Sequence, residues 1–394
     1  MKPRYYIFVF LLSLLSTISA WGQTTVIKRT ETKQAVKHKV GSQWKWKGDY
    51  YDGLAYVCDK NDKYGYVDKN GKLVIPCQWK FAYSFSEGLA CVKDENDKWG
   101  FIDKNGYLVS PCQWKWVKSF SEGLACVSDD NERWGLIDRT GKLVIPCQWK
   151  NIRSFSDGLI CVKGDNGKYG FIDKTGTLII PCKWNYPIYF EIFFSEGLVQ
   201  IQDDNNKWGF IDKTGKVVIP CQWKDAWSFS EGLAKVKDDH YNYNFIDKSG
   251  NVVISCQWKD ADDFSEGLAK VMDDNNKYGF IDKTGKVVIP CQWKWAYRFS
   301  EGLAYIMDDN DKCGFIDKTG KLVIPCKWKK TCNFSEGLAY VQDDRGKYGF
   351  IDKTGKLVIP CQWVWAYNFK NGKAKVEDNK ENKYYIDKTG KKVE

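Results

Sequence analysis

The sequence predicts an all-β repeat protein. Tandem 35-residue units each fold as a three-stranded antiparallel meander and stack as an open, solenoid-like superhelical array. Three observations carry this reading: a fixed spacing of tryptophans, the same strand pattern inside every interval, and turn residues at constant offsets.

The spacing fixes the unit. Trp44, Trp79, Trp114, Trp149 and Trp184 stand 35 residues apart, as do Trp223, Trp258, Trp293, Trp328 and Trp363. The interval from Trp184 to Trp223 is 39, and its four extra residues fall within 185–194. Ten units fill 43–394, a register that chance does not hold.

Each unit repeats one grammar. In "EGLAKVKDD", Ala234 and Val236 alternate with polar neighbours, the period of a half-buried strand. "KWGFID" and "KVVIP" supply two more strands. Asp203, Asp204 and Asn205 form the turn between the first two runs, and Asp282-Lys283-Thr284-Gly285 shows the turn between the last two. Gly285 supplies the positive φ that a tight hairpin needs. Pro290 ends the third strand because it cannot donate to a ladder. The connector "CQWKWAYRFSEG" leaves room for a fourth, very short strand. One such meander buries too little surface to stand alone, so neighbouring units must cover it.

The aromatic-glycine step of "KWGFIDKTGK", recurring in phase with "FSEGLA", resembles the WG-repeat proteins of bacteria over most of the chain. The tryptophan of that step is present at Trp99, Trp134 and Trp208 and is tyrosine at Tyr64, Tyr169, Tyr278 and Tyr348. Cys313 occupies it once, Asn244 replaces the glycine, and the final "NKYYIDK" loses the glycine too. This tolerance points to packing rather than catalysis. The resemblance implies a repeat-built, often exported module.

A β-propeller, or two propellers, is the alternative architecture. Propeller blades usually hold four strands in about 40–45 residues, with about four to eight blades per ring. Units of 35 residues, ten in number, fit neither figure. In the last unit, 363–394, Lys370 and Lys373 replace the recurring serine and leucine, which reads as a lysine-rich cap on an open sheet edge.

Residues 1–22 read as a signal peptide: Lys2 and Arg4 precede an apolar run from Tyr5 to Leu15, short of the roughly 20 residues a membrane span needs. Residues 23–42 are a basic, flexible linker. The expectation is export to the periplasm, cell surface or medium, with no transmembrane segment after cleavage. The formal net charge is +10, but acidic residues interleave with the lysines in every unit, which argues against nucleic acid.

Of the fifteen cysteines, nine are one repeated position: Cys77, Cys112, Cys147, Cys182, Cys221, Cys256, Cys291, Cys326 and Cys361. Equivalent positions in stacked meanders lie roughly 14 Å apart at about 4.8 Å per strand, beyond the ~7 Å between Cα atoms that a disulfide spans. Free, buried thiols are expected, with some disulfides among the early units as the alternative. No metal site is expected: the only histidines are His38 and His240, and "DDNN" lacks the spacing of a calcium loop. No nucleophile–base constellation or phosphate loop appears, and the recurring carboxylates repeat in nearly every unit. The chain is therefore expected to be no enzyme and to need no cofactor.

The surplus is aromatic. Aromatics that vary between units are the candidate binding residues: Trp46, Trp116, Trp295 and Trp365, with Trp227, Tyr83, Tyr297 and Tyr367. A variable row on a regular scaffold is how repeat proteins build a binding face. The expected function is a non-catalytic exported scaffold for a protein or peptide partner at the cell envelope. A glycan-binding module, for peptidoglycan or a surface polysaccharide, is the alternative.

Overall fold

The computed structural model describes residues 44–186, 192–255 and 258–393. The expected signal peptide and linker, residues 187–191 of the insertion, and Cys256 lie outside the described residues. Among the described residues there is no helix, and ten small antiparallel sheets follow one another along the chain. We number them as blades 1 to 10: 46–79, 81–114, 116–149, 151–184, 198–223, 225–255, 260–293, 295–328, 330–363 and 365–393.

Nine blades have four strands and blade 5 has three. In blade 2 these are Phe81–Ala82, Ala90–Lys93, Trp99–Ile102 and Leu108–Trp114, paired strictly in chain order. The fourth strand is thus the short segment for which the connector left room; it comes first in the blade, with two residues in eight blades and six, Asn151–Ser156, in blade 4. In blade 5 it shrinks to a bridge between Asn185 and Gln202.

Turn chemistry sets the hairpins. Asp273 Oδ1 accepts the backbone N–H groups of Asn275 and Lys277 at 3.0 and 2.8 Å, and Asn276 takes a φ of 60°. The Asp–Asn clusters are therefore turns. The glycine of the aromatic-glycine step has a different reason. The ladder shifts register across it and again just after Phe210, and a Cβ on Gly209 would sit 2.5 Å from the Ile219 carbonyl oxygen of the next strand.

The core lies between blades, not within them. Nine apolar clusters each span two consecutive blades; one joins Phe280 and Ile289 of blade 7 to Phe299 and Ile306 of blade 8, both phenylalanine rings edge to face at 4.9 Å. Hydrogen bonds repeat at these joints. Ser265 Oγ donates to the Phe299 carbonyl at 2.9 Å, and the Glu231 carboxylate accepts the Gly267 N–H at 2.8 Å while pairing with Lys283 at 3.2 Å.

The ten blades come full circle. Lys375 of blade 10 lies 3.4 Å from Asp49, beside blade 1. Lys375 occupies in its blade the place of Gln200 and Lys235 in theirs, and Asp49 that of Ser228 and Asp263. Gln200 meets Ser228 and Lys235 approaches Asp263 across ordinary joints, so Lys375 meets the residue that an eleventh blade would bring. The architecture is the propeller-like ring that the sequence held as its alternative, built of ten blades. Among the described residues no strand is exchanged across the junction, since the first and last blades are each contiguous in sequence. Lys370 and Lys373 pair with each other at the turn before the second strand of blade 10 rather than along an edge strand.

Candidate functional site

The short first strands form one edge of nine blades, with a single bridge at Asn185 in blade 5, and set the residue two after the recurring tryptophan in a single series around the ring. The position two residues after the recurring tryptophan is Trp46, Phe81, Trp116, Asn151, Tyr186, Asp225, Asp260, Trp295, Lys330 and Trp365 in turn. The structure places the expected site residues unequally. Trp116, Trp295 and Trp365 are 51, 41 and 44 % exposed, and Tyr83 and Tyr367 are comparably open. Trp46, Trp227 and Tyr297 are half-buried.

Neighbours account for the difference. Trp46 is held edge-on by Tyr56 and Tyr64, the latter at 5.3 Å. Tyr297 stacks on Tyr305 at 5.2 Å with planes 9° apart. Trp227 lies under Lys235, whose Nζ is 4.5 Å from its ring centre. Trp295 packs against Tyr278 of the preceding blade at 5.0 Å, and Trp365 against Tyr348 at 5.4 Å.

Sequence reasoning missed the row behind this edge. One position on the second strand reads Tyr56, Cys91, Cys126, Cys161, Gln200, Lys235, Lys270, Tyr305, Tyr340 and Lys375 around the ring. It changes from sulfur to charge to tyrosine. Lys235 is 7 % exposed, yet its Nζ donates to the Ala261 carbonyl at 2.7 Å and lies 3.9 Å from Asp263. Lys270 pairs with Asp262 at 3.5 Å and sits over Trp295. The signal was present as a position that changes chemical class while its neighbours repeat.

The fourteen described cysteines are free. Those of the repeated position are half-buried rather than buried, packing from one blade onto the cluster of the blade before it, as Cys326 does on blade 7. Burial pushes Cys112, Cys221, Cys291 and Cys326 up to about 11, so at neutral pH they are protonated and poor nucleophiles. No group of three or more His, Cys, Asp or Glu side chains is placed to hold a metal among the described residues. Nor, among them, is any helix long and apolar enough to cross a membrane.

Between blades 8 and 9 an open cleft of about 370 Å³ is walled by Trp295, Tyr305 and Tyr340, with Met307 and Cys313 among its apolar lining and Lys294, Lys329 and Lys330 among its charged lining.

The family model described as "WG containing repeat" matches residues 64–99, 99–132, 134–169, 169–208, 208–239, 245–278, 278–313, 314–348 and 348–384. No curated protein matches the chain in sequence. Among solved structures, the chain is similar to a eukaryotic initiation factor at 10% identity, with a TM-score of 0.47, covering 79% of this chain and 96% of that one. It is also similar to the computationally designed Ika8 protein at 11% identity (TM-score 0.37; 68% of this chain, 94% of that one). BamB from Moraxella catarrhalis matches at 9% identity (TM-score 0.34; 68% of this chain, 92% of that one). At these scores none of the three carries an argument about this chain.

Proposed function

This chain belongs to the WG-containing repeat family, and from that premise we propose that it is a non-catalytic, exported scaffold binding a protein or peptide partner at the cell envelope. Repeat β-folds of this kind act as scaffolds and binding modules; the envelope and the kind of partner are our own reading. One observation supports it most: Trp116, Trp295 and Trp365 remain 41–51 % exposed on edge strands while their structural equivalents elsewhere are covered or polar. Large aromatics left half open beside mixed charge are the usual anchors of protein interfaces.

The test has two arms. In the first, fractionation of cells producing the full chain and a form lacking residues 1–22 should find only the full chain outside the cytoplasm. Equal cytoplasmic retention of both contradicts export. In the second, Trp116→Ala, Trp295→Ala and Trp365→Ala, singly and together, are assayed against immobilised envelope proteins and against peptidoglycan and surface polysaccharide. Loss concentrated in one substitution supports a protein partner, because a few hot spots dominate such interfaces. Graded loss across all three, on polysaccharide, supports the glycan reading through avidity. A folded triple variant that binds as the parent does removes the edge aromatics from the site.

A further inference from the structure

We propose that the cleft between blades 8 and 9 is the docking point for an acidic peptide segment that inserts one bulky apolar side chain; this rests on the protein-or-peptide reading above. Three departures from the repeat meet there. The first creates the space. Across three other joints, an aromatic of one blade packs on the first-strand residue of the next: Tyr64 on Phe81 at 4.9 Å, Tyr278 on Trp295 at 5.0 Å, Tyr348 on Trp365 at 5.4 Å; at three more that residue is Asn151, Asp225 or Asp260. Between blades 8 and 9 the same two places hold Cys313 and Lys330, and a small thiol with a flexible chain leaves unfilled the volume that two rings take elsewhere.

The second departure leaves charge uncompensated. Lys45, Lys80, Lys115 and Lys294 each pair, within their own blade, with the acid seventeen residues on, at 2.6–2.9 Å. Lys329 stands at the same place, but seventeen residues on is Gly346, as Gly167, Tyr241 and Asn276 follow Lys150, Lys224 and Lys259 in three other units. The acids nearest in sequence are already engaged, Asp343 by Arg345 and Asp344 by Lys312. The third departure is Lys330 itself, a cation where the adjoining blades carry Trp295 and Trp365. Among the described residues, the cleft therefore carries two cations, Lys329 and Lys330, with no ion-pair partner, beside Lys294, which also lines it and is paired with Asp311 at 2.6 Å.

The walls are firm. Tyr305 is held by its stack on Tyr297, and Tyr340 by an edge contact with Tyr348 at 5.5 Å and by Thr331 Oγ1 donating to its carbonyl at 2.9 Å. Met307 offers an adaptable apolar surface, Cys313 is 2 % exposed, and neither brings a fixed hydrogen-bonding group for sugar hydroxyls. An apolar side chain flanked by carboxylates satisfies floor and edge together, as a neutral glycan does not.

The experiment uses the full chain after signal removal and fluorescein-labelled synthetic peptides read by anisotropy. One peptide has phenylalanine flanked on each side by two glutamates; one has alanine at the centre; one has lysines as flanks. Tetragalacturonate serves as competitor. The glutamate–phenylalanine peptide should bind, at least tenfold more tightly than either control, with affinity falling as salt rises. Cys313→Tyr, which refills the hollow, and Lys330→Trp, which restores the residue of neighbouring blades, should each weaken it at least tenfold. Circular dichroism confirms folding, and the two variants act independently if one fails to fold. Lys329→Glu should weaken it by a similar factor and flatten the salt dependence. Equal binding of the lysine-flanked peptide, unchanged affinity in folded Cys313→Tyr and Lys330→Trp, or displacement by tetragalacturonate without peptide selectivity would each overturn the proposal. If partner binding depends on Trp116 in blade 3 and ignores Cys313→Tyr, the scaffold reading stands and this cleft is excluded.

Discussion

The nine joints between consecutive blades and the tenth, between blade 10 and blade 1, are built from corresponding positions yet differ in almost every contact. At an ordinary joint a phenylalanine such as Phe280 is fully buried against the next blade, and Ser265 and Glu231 show the recurring hydrogen bonds across it. At the tenth joint Tyr385 stands in that phenylalanine place and is 38 % exposed. Lys370 replaces the serine and Asn371 the glutamate. Among the described residues, the apolar cluster on that face of blade 1 holds Ala55, Val57 and Val67, with Trp44, Tyr50 and Cys77 packed against it. The lesson is that one repeat grammar serves two purposes. Inside the chain it makes a continuous core, and at the ends its substitutions turn two sticky faces into polar ones that meet through Lys375 and Asp49.

This contrast can be broken or sharpened by substitution. The largest effect should come from apolar truncation. Phe280→Ala should lower stability by about 3–5 kcal/mol, as buried phenylalanine truncations do, whereas Tyr385→Ala should stay within about 0.5 kcal/mol as a surface change. Urea unfolding followed by circular dichroism measures both, and equal losses would show that the tenth joint is packed like the rest.

A smaller effect belongs to the recurring carboxylate. Glu231→Ala removes one acceptor from the Gly267 N–H and one partner from Lys283, and should cost about 1 kcal/mol for a partly exposed, charge-assisted bond. The reciprocal change, Asn371→Glu, supplies the missing carboxylate where Gly53 is the corresponding donor across the seam. It should raise the unfolding midpoint by up to the same amount. No gain from Asn371→Glu beside a clear loss from Glu231→Ala would mean that the ends do not meet in the ordinary register.

The smallest effect is the seam pair itself. A double-mutant cycle of Asp49→Ala and Lys375→Ala should give a coupling of about 0.2–1 kcal/mol that fades with added salt, since both side chains are partly exposed. A coupling of zero at low salt would count against the closing contact.

Much of the fold was legible in the sequence because it is local. The 35-residue period, the Asp-initiated turns and the glycines at positive φ such as Gly285 each act within one unit. Ring closure was not legible, because it depends on the small rotation between successive blades, which no single residue specifies and which ten joints accumulate. The first strand was visible only as room in the connector, since two residues cannot display a period of two. The candidate site was half legible. That Trp116 and Trp46 vary was plain, but their exposure is set by neighbours, and Tyr56 and Tyr64 cover one while nothing comparable covers the other. Cys313 read as tolerance in a packing position, and only the missing ring contact with Lys330 shows it to be a hollow.

The claim that the ten blades form a ring whose ends meet through Lys375 and Asp49 is tested most directly by one distance. Spin labels carried on genetically encoded keto amino acids, which avoid the native thiols, would be placed at Asp52 and Asn371 across the seam. A reference pair at Glu301 and Glu336 spans an ordinary joint in the same register. The account predicts that double electron–electron resonance gives the two pairs the same mean distance, with a somewhat broader distribution across the seam. A seam distance much longer than the reference, with the reference itself narrow, would show an open array and contradict the ring.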